Sequence, residues 1–291
     1  MGATARPCVI VATDLSESAG VAARFAASVA ALRGADVVVA HVVEISLKSW
    51  LASRYDILAD EAKRAQAEAS VAAWYTQATG QAPTAVDLRV NTCFNGLTEA
   101  VHAHHAELLV MAPTGKSALT QIVVGSRVQD LASRPPCALV VAGQDTPPTH
   151  IAVATDFSEG AAQAVAFAGR LALHLHARVT LMHVAEVPDL PAFEEDLFAG
   201  SFEAFYQEAD ASLQAARAAH LPDGLAVSRA VLNGRAEVAI EAHVRQQGIE
   251  LLVLGQTGHD SVLGDMLGSV PRALIGRMPC SVLVVPTGGT A

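Results

Sequence analysis

The stretch VATDLSESA at residues 11–19 returns as VATDFSEGA at residues 153–161, with seven of the nine positions identical. Three more segments return in the same order, 142 or 143 residues further along the chain. They are VVVAHVV (37–43), ELLVMAPTG (107–115) and RPPCALVV (134–141), which reappear as VTLMHVA (179–185), ELLVLGQTG (250–258) and RMPCSVLVV (277–285). Because this period is far longer than that of a solenoid repeat, we predict two copies of one domain.

The segment between the copies, GQDTPPTH (143–150), is polar and contains proline, as linkers do. We therefore place the domains at residues 1–143 and 149–291. Within each copy, short β-branched runs alternate with longer stretches of helical periodicity. Continuous apolar strands separated by helices predict a parallel sheet covered on both faces. The predicted fold class is α/β, with two tandem doubly wound, Rossmann-like sheets of five parallel strands.

The predicted elements can be stated by position. In the first copy the strands are CVIVAT, DVVVAHVV, AVDLRV, ELLVMA and ALVVA, and the helices run from an N-cap at Ser16 to Arg33, over 51–79, over 96–105 and over 126–133. In the second copy the strands fall at 151–155, 178–184, 225–231, 250–254 and 281–285. Ligands of such sheets bind beyond the carboxyl ends of the strands.

Composition restricts the class of partner. The formal net charge of −10 opposes binding to a nucleic-acid backbone, although backbone N–H groups could still hold a single nucleotide. No apolar run is long enough for a signal peptide or a membrane span, so we expect a cytoplasmic protein. The cysteines form no C-x-x-C pair and are expected to be buried free thiols: Cys8, Cys93, Cys137 and Cys280.

The loop after the fourth strand of the second copy, GQTGHDSVLGDMLGS (255–269), has the spacing G-x-x-G-x9-G-S. Gly255 and Gly258 allow a turn and a close backbone approach, while Gly268 and Ser269 open the next helix, whose N–H groups can bind phosphate. At the neighbouring strand ends, an acceptor for a ribose or base amine and an apolar wall for adenine are available: Asp156, Ala154 and Val184. The pattern favours nucleotide binding, with ordinary turn glycines as the alternative.

This loop, the V-A-T-D after strand one and the P-C-x-x-V-V of the final strand (136–141) resemble the universal stress protein family over nearly the whole chain. The resemblance implies strand order 3-2-1-4-5, a cytoplasmic location, induction under stress and dimer-like pairing of the domains through their last strands. A homodimer is a further option. In the ATP-binding branch it implies ATP, with or without Mg²⁺, held by Thr155, Asp156, Val184, Leu254, Gly255, Gly258, Gly268, Ser269 and Val270.

The first copy departs from the family pattern in this loop. Ala112 stands at the position of Gly255, and Pro113 stiffens the same turn. Arg127 replaces Val270, and Lys116 replaces His259. The residues that remain are weaker candidates for a nucleotide site: Thr13, Asp14, Val42, Gly115, Gly125 and Ser126. The first copy therefore either binds ATP with altered geometry or serves as a structural partner.

Other polar and aromatic residues have competing interpretations. We expect His102, His104 and His105 to be exposed at a helix end, because their spacing does not place all three on one face for a metal. His41 and His183 either reach the ligand or support the strand end. Asp260 and Asp265 either hold Mg²⁺ through water or are solvated. Aromatic residues at helical spacing are expected to pack: Phe198, Phe202, Phe205 and Tyr206, with Trp50 and Tyr55 in the matching region of the first copy.

The chemistry predicted from the sequence is binding. There is no Walker lysine and no Ser-His-Asp set in a supporting motif order. We expect an ATP-binding stress-response protein whose occupancy changes its conformation or its choice of partner. The alternatives are a slow ATPase or nucleotidyl-transfer enzyme, with Asp156 or His259 as the first residues to test, and an interaction protein with vestigial sites.

Overall fold

The strands of the first unit form a parallel sheet in the order 3-2-1-4-5. Strand β1 pairs with β2 and β4, β2 pairs with β3, and β4 pairs with β5, all in parallel. The elements are β1 (Cys8–Ala12), α1 (Glu17–Arg33), β2 (Asp36–Val43), α2 (Glu61–Thr79), β3 (Ala85–Val90), α3 (Cys93–Ala103), β4 (Leu108–Met111), α4 (Ser126–Ser133) and β5 (Ala138–Val141).

The second unit repeats this order, because β6 pairs with β7 and β9, β7 pairs with β8, and β9 pairs with β10. Its elements are β6 (His150–Ala154), α5 (Glu159–Leu175), β7 (Arg178–Ala185), α6 (Ala192–His220), β8 (Val227–Asn233), α7 (Ala236–Gln247), β9 (Leu251–Gly255), α8 (Ser269–Arg277) and β10 (Ser281–Val285). The predicted α/β class with two tandem five-stranded parallel sheets is confirmed.

The computed structural model describes residues 6–44, 61–113, 124–185, 192–258 and 267–288, and for 192–202 it describes the backbone alone. The chain divides into two compact units, Met1–Pro147 and Pro148–Ala291. The central strands β1 and β4 of the first unit are buried along their whole length, and β6 and β9 of the second are buried except at their last residues, Ala154 and Gly255. None of the helices described is both long and apolar enough to cross a membrane.

Helix caps explain where several elements begin and end. Ser16 caps α1 as predicted, because its Oγ accepts a hydrogen bond of 3.2 Å from the Ala19 N–H. Helix α3 begins at Cys93 rather than at residue 96, since Thr92 caps it, and it ends at Ala103. Strand β8 lies two residues later than predicted, at Val227–Asn233. Of the predicted helix 51–79, residues 61–79 are helical and the remainder lies outside the described residues.

Two side-chain predictions need correction. His102 and His105 are exposed, but His104 is half-buried and its Nε2 lies 3.0 Å from Asp87 Oδ2, beside an arginine that also binds this carboxylate. No group of metal ligands occurs among the described side chains. Phe205 is exposed, whereas Ala209 and Leu213 further along the same helix α6 are buried. Its neighbour Tyr206 is half-buried, and Phe198, Phe202, Trp50 and Tyr55 lie outside the described side chains.

The four cysteines are free thiols, and Cys8 and Cys137 are buried as predicted. Cys93 and Cys280 are only partly covered, so the prediction of full burial is wrong for these two. Burial nevertheless raises the pKa of the Cys93 thiol to about 11 and that of Cys280 to about 12. All four thiols are therefore protonated at neutral pH.

Candidate functional site

A tight turn after the first strand of each unit positions an aspartate at the carboxyl end of the sheet. In the second unit Thr155 Oγ1 accepts a hydrogen bond of 3.0 Å from the Phe157 N–H. Asp156 Oδ1 accepts bonds from the N–H and the hydroxyl of Ser158, at 3.0 and 2.6 Å. Phe157 adopts a φ of 65°, which a side-chain-bearing residue holds only when its surroundings impose it. The hydrogen bonds within the T-D-x-S turn therefore fix the orientation of the Asp156 side chain.

His183, on the neighbouring strand, stabilises this turn. Its Nδ1 lies 2.8 Å from the carbonyl oxygen of Thr155, and its ring packs on that of Phe157 with centroids 4.6 Å apart. His41 makes the same 2.8 Å contact with the Thr13 carbonyl oxygen in the first unit. Of the two roles left open for these histidines, support of the strand end is the one that the contacts show. His183 also lines the cavity described below.

The first two glycines of the loop are required by contacts within the protein. A Cβ on Gly255 would lie 3.1 Å from the carbonyl carbon and oxygen of Gly160, in the first turn of α5. A Cβ on Gly258 would lie 2.2 Å from Asp156 Oδ2. Gly255 therefore permits β9 to pack on α5, and Gly258 permits the loop to lie against the aspartate.

The loop ends at an open helix N-terminus. The Gly268 N–H donates to the Gln256 carbonyl oxygen at 2.9 Å, which ties the two ends of the loop together. Helix α8 then begins at Ser269, and no side-chain cap bonds to its first turn among the described residues. Pro271 has no N–H, so the N–H groups of Ser269 and Val270 are the donors that the helix leaves open. Such donors at a helix N-terminus are suited to an anion.

These parts enclose a cavity of about 500 Å³ at the carboxyl edge of the second sheet. Every predicted site residue of the second copy lines it: Ala154, Thr155, Asp156, Val184, Leu254, Gly255, Gly258, Gly268, Ser269 and Val270. Sequence reasoning missed further lining residues, of which Ala236 and Ile240 come from the first turns of α7. Their i,i+4 spacing after the third strand was the available signal, but apolar residues at that spacing also fit ordinary packing.

The first unit has a smaller cavity of about 270 Å³ at the equivalent place. The candidates Thr13, Asp14, Val42, Gly125 and Ser126 line it, and so does Ala112. Gly115 and Lys116 lie outside the described residues, as do His259, Asp260 and Asp265 in the second unit. The lining residues that the sequence did not reveal include Glu44, Cys93 and Leu97.

An ion pair distinguishes the first cavity from the second. Arg127 Nη2 donates to Glu44 Oε2, while Glu44 Oε1 accepts a bond of 2.9 Å from the Cys93 N–H. The Glu44 carboxylate thereby joins the first turns of α3 and α4. In the second unit Val270 and Ala236 stand at the positions of Arg127 and Cys93.

Comparison with known proteins agrees with this architecture. The model of the universal stress protein family matches residues 8–143 and again residues 148–286. A universal stress protein of Mycobacterium tuberculosis is 26% identical over 303 residues, covering 95% of this chain and 96% of the relative.

Two solved structures share the fold. The crystal structure of a universal stress protein from Archaeoglobus fulgidus has a TM-score of 0.62 at 17% identity, covering 97% of this chain and 98% of that one. A functionally unknown protein from Pseudomonas aeruginosa has a TM-score of 0.65 at 15% identity, covering 97% and 93%. With two family matches that together span most of its length, the chain belongs to the universal stress protein family and consists of two such domains in tandem.

Proposed function

We propose that the second unit binds ATP and that nucleotide occupancy alters the conformation or the partner choice of a cytoplasmic stress-response protein. The observation that carries the proposal is the open N-terminus of α8, which shares one cavity with Asp156 and an apolar wall. The cavity volume of about 500 Å³ lies within the range of roughly 300 to 1,000 Å³ that is usual for small-molecule sites.

The chemistry of the lining divides the cavity into two ends. At one end the N–H groups of Ser269 and Val270 and the Ser269 hydroxyl are donors for phosphate oxygens, next to Gly258 and Gly268. At the other end the apolar side chains of Ala154, Val184 and Leu254 suit an adenine ring.

The Asp156 carboxylate lines the same cavity and is an acceptor suited to a ribose hydroxyl or a base amine. Both printed bonds from Ser158 go to its Oδ1 atom. Mg²⁺ would reach the site with the ATP, because the described side chains form no metal-binding group of their own.

We propose that the second unit binds ATP without hydrolysing it rapidly. Among the described lining residues Asp156 is the carboxylate, and its Oδ1 accepts hydrogen bonds of 3.0 and 2.6 Å from Ser158, which fix the orientation of the group. The same bonds are suited to a fixed binding surface.

The proposal is tested by the variant Ser269→Asp. Ser269 is exposed at the first position of α8, so a carboxylate there stabilises the helix by about 0.3–1 kcal/mol through the helix dipole. The same carboxylate opposes a phosphate chain. We expect the variant to fold at least as stably as the wild type and to bind ATP at least about tenfold more weakly, a change of about 1.4 kcal/mol.

The internal repeat supplies the matched control. Ser126 is likewise exposed at the first position of α4, and Ser126→Asp places the same charge at the equivalent point of the first unit. Isothermal titration with ATP should show one strong site per chain in the wild type and in Ser126→Asp. Unchanged ATP affinity in Ser269→Asp would overturn the proposal.

A further inference from the structure

We propose that the cavity of the first unit binds an adenine nucleoside without a phosphate chain, and that Glu44, held by Arg127, excludes nucleoside triphosphates from it. The inference rests on the proposed function, because the second site identifies which end faces the base and which end faces the phosphates. It assigns the two halves of the tandem different ligands rather than treating the first as a weaker copy.

The base and sugar end is built alike in both units. The Thr13 and Thr155 hydroxyls accept the N–H two residues further on, at 2.9 and 3.0 Å. The Asp14 and Asp156 carboxylates accept the N–H of the following serine, at 3.0 Å in each case. The apolar wall persists in the first cavity through Ala12, Val42 and Met111. The recognition surface for an adenine nucleoside is therefore retained.

The anion end is different. The Glu44 carboxylate lines the first cavity and bonds to Arg127 and to the first N–H of α3. The ion pair thus places a negative carboxylate in the same cavity as Ser126 and Arg127, which open α4 where Ser269 and Val270 open α8. A polyphosphate would have to displace this carboxylate or lie next to it in the same cavity, and two negatively charged groups in contact repel each other. A nucleoside has no charge at this end and leaves the ion pair intact.

The volumes point in the same direction. The first cavity measures about 270 Å³ against about 500 Å³ for the second, so the smaller ligand is the better match in size for the first. Leu97 and Met111 line the first cavity where Ile240 and Leu254 line the second. Among the lining residues that the structure describes, Glu44 and Arg127 form a charged pair in the first cavity, and Val270 takes the place of Arg127 in the second.

Arg127 is the residue that sets the two units apart. Position 186, equivalent to Glu44, also carries a glutamate and lies outside the described residues. Val270, at the position of Arg127, offers no guanidinium to hold a carboxylate. We therefore assign the exclusion of triphosphates to the fixed pair rather than to Glu44 alone.

The experiment measures adenosine and ATP binding by titration calorimetry in the full chain carrying both Ser269→Asp, which opposes a phosphate chain in the second site, and Ala154→Phe, which fills the apolar wall that would hold the base there. The proposal predicts one adenosine site per chain and ATP affinity at least about tenfold lower than adenosine affinity. Adding Glu44→Gln should raise ATP affinity at least about tenfold and change adenosine affinity by no more than about twofold. Absence of adenosine binding, equal binding of both ligands, or no response to Glu44→Gln would each overturn it.

Two further variants complete the design. Glu99→Gln removes a glutamate charge from helix α3, where Glu99 binds Arg89 and Asn91 and does not line the cavity, and it should leave both affinities unchanged. Arg127→Val installs the residue of the second unit and releases Glu44. The proposal predicts tighter ATP binding, whereas simple loss of a positive charge predicts weaker binding. Weaker binding in Arg127→Val would contradict the proposal even if Glu44→Gln fails to fold.

The failure of this inference is distinguishable from failure of the proposed function. ATP binding by the wild type that is lost in Ser269→Asp supports the second site whatever the first cavity does. Adenosine binding in the background that carries Ser269→Asp and Ala154→Phe bears on the first cavity alone, since Ala154→Phe fills the position of the base in the second.

Discussion

Gly255→Ala adds one methyl group at the point where strand β9 meets helix α5. The new Cβ would lie 3.1 Å from the carbonyl carbon and oxygen of Gly160 and 3.3 Å from the Ala161 N. All three atoms belong to the backbone, so no side-chain rotation can relieve the contact. Either β9 or the first turn of α5 has to move by a few tenths of an ångström. The Ser158 cap and the Asp156 turn precede this helix and would move with it.

The expected cost follows from two opposing effects. Overpacking of a well-packed contact costs about 1–3 kcal/mol. Replacing glycine by alanine also lowers the conformational entropy of the unfolded chain, which stabilises the folded unit by about 0.4–1 kcal/mol. We therefore expect the free energy of unfolding of the second unit to fall by about 1–2 kcal/mol. The substitution lies in the second unit, so the stability of the first unit, which carries Ala112 at the equivalent position, should not change.

Hydrogen exchange followed by mass spectrometry in a urea series measures the two units separately. Both tryptophans, Trp50 and Trp74, belong to the first unit, so tryptophan fluorescence serves as an internal reference. The matched control is Gly276→Ala in helix α8, where an added Cβ meets no atom within 4 Å. That control should be neutral or stabilising by up to about 1 kcal/mol. Equal unfolding free energies for Gly255→Ala and the wild type, or equal losses in both variants, would refute the reasoning.

Two further predictions concern the same unit. Gly258→Ala places a methyl group 2.2 Å from Asp156 Oδ2 and should weaken ATP binding about tenfold or more, whereas Gly268→Ala, at 3.4 Å from its nearest neighbours, should change it much less; similar affinities in both would contradict this. Burial lowers the pKa values of His150 and His243 below the ordinary value of 6.5, so the unfolded chain takes up protons first as pH falls. The free energy of unfolding of the second unit should therefore fall between pH 7.5 and pH 5.5. The slope is at most about 1.4 kcal/mol per pH unit for each additional proton that the unfolded chain binds, and the fall should be smaller in His150→Gln. A flat profile for the wild type would contradict the assignment.

The fold was predictable because the same order of strand and helix patterns occurs twice in the chain. Each apolar run reappears with the same neighbours, so a strand uncertain in one copy is supported by the other. The start of α3 was not predictable to the residue, because NTCF (91–94) continues from a strand without an obvious break. Only the Thr92 cap, a contact with the Asn95 N–H, decides it.

The site was predictable where backbone geometry demands a residue type. Gly255, Gly258 and Gly268 stand out because few other residues fit a tight loop before a helix. The apolar contribution of Ala236 and Ile240 carries no such signature. The Glu44–Arg127 pair was hidden for another reason, since its partners are 83 residues apart and meet only in the folded sheet.

Photolabelling with 8-azido-ATP tests the central claim most directly, because it reports where the base lies in the intact chain. The account predicts labelling of second-unit peptides that contain Ala154, Val184 or Leu254, at one label per chain, and loss of that label in Ser269→Asp. Labelling concentrated on the equivalent peptides of the first unit, around Ala12 and Val42, would contradict the account.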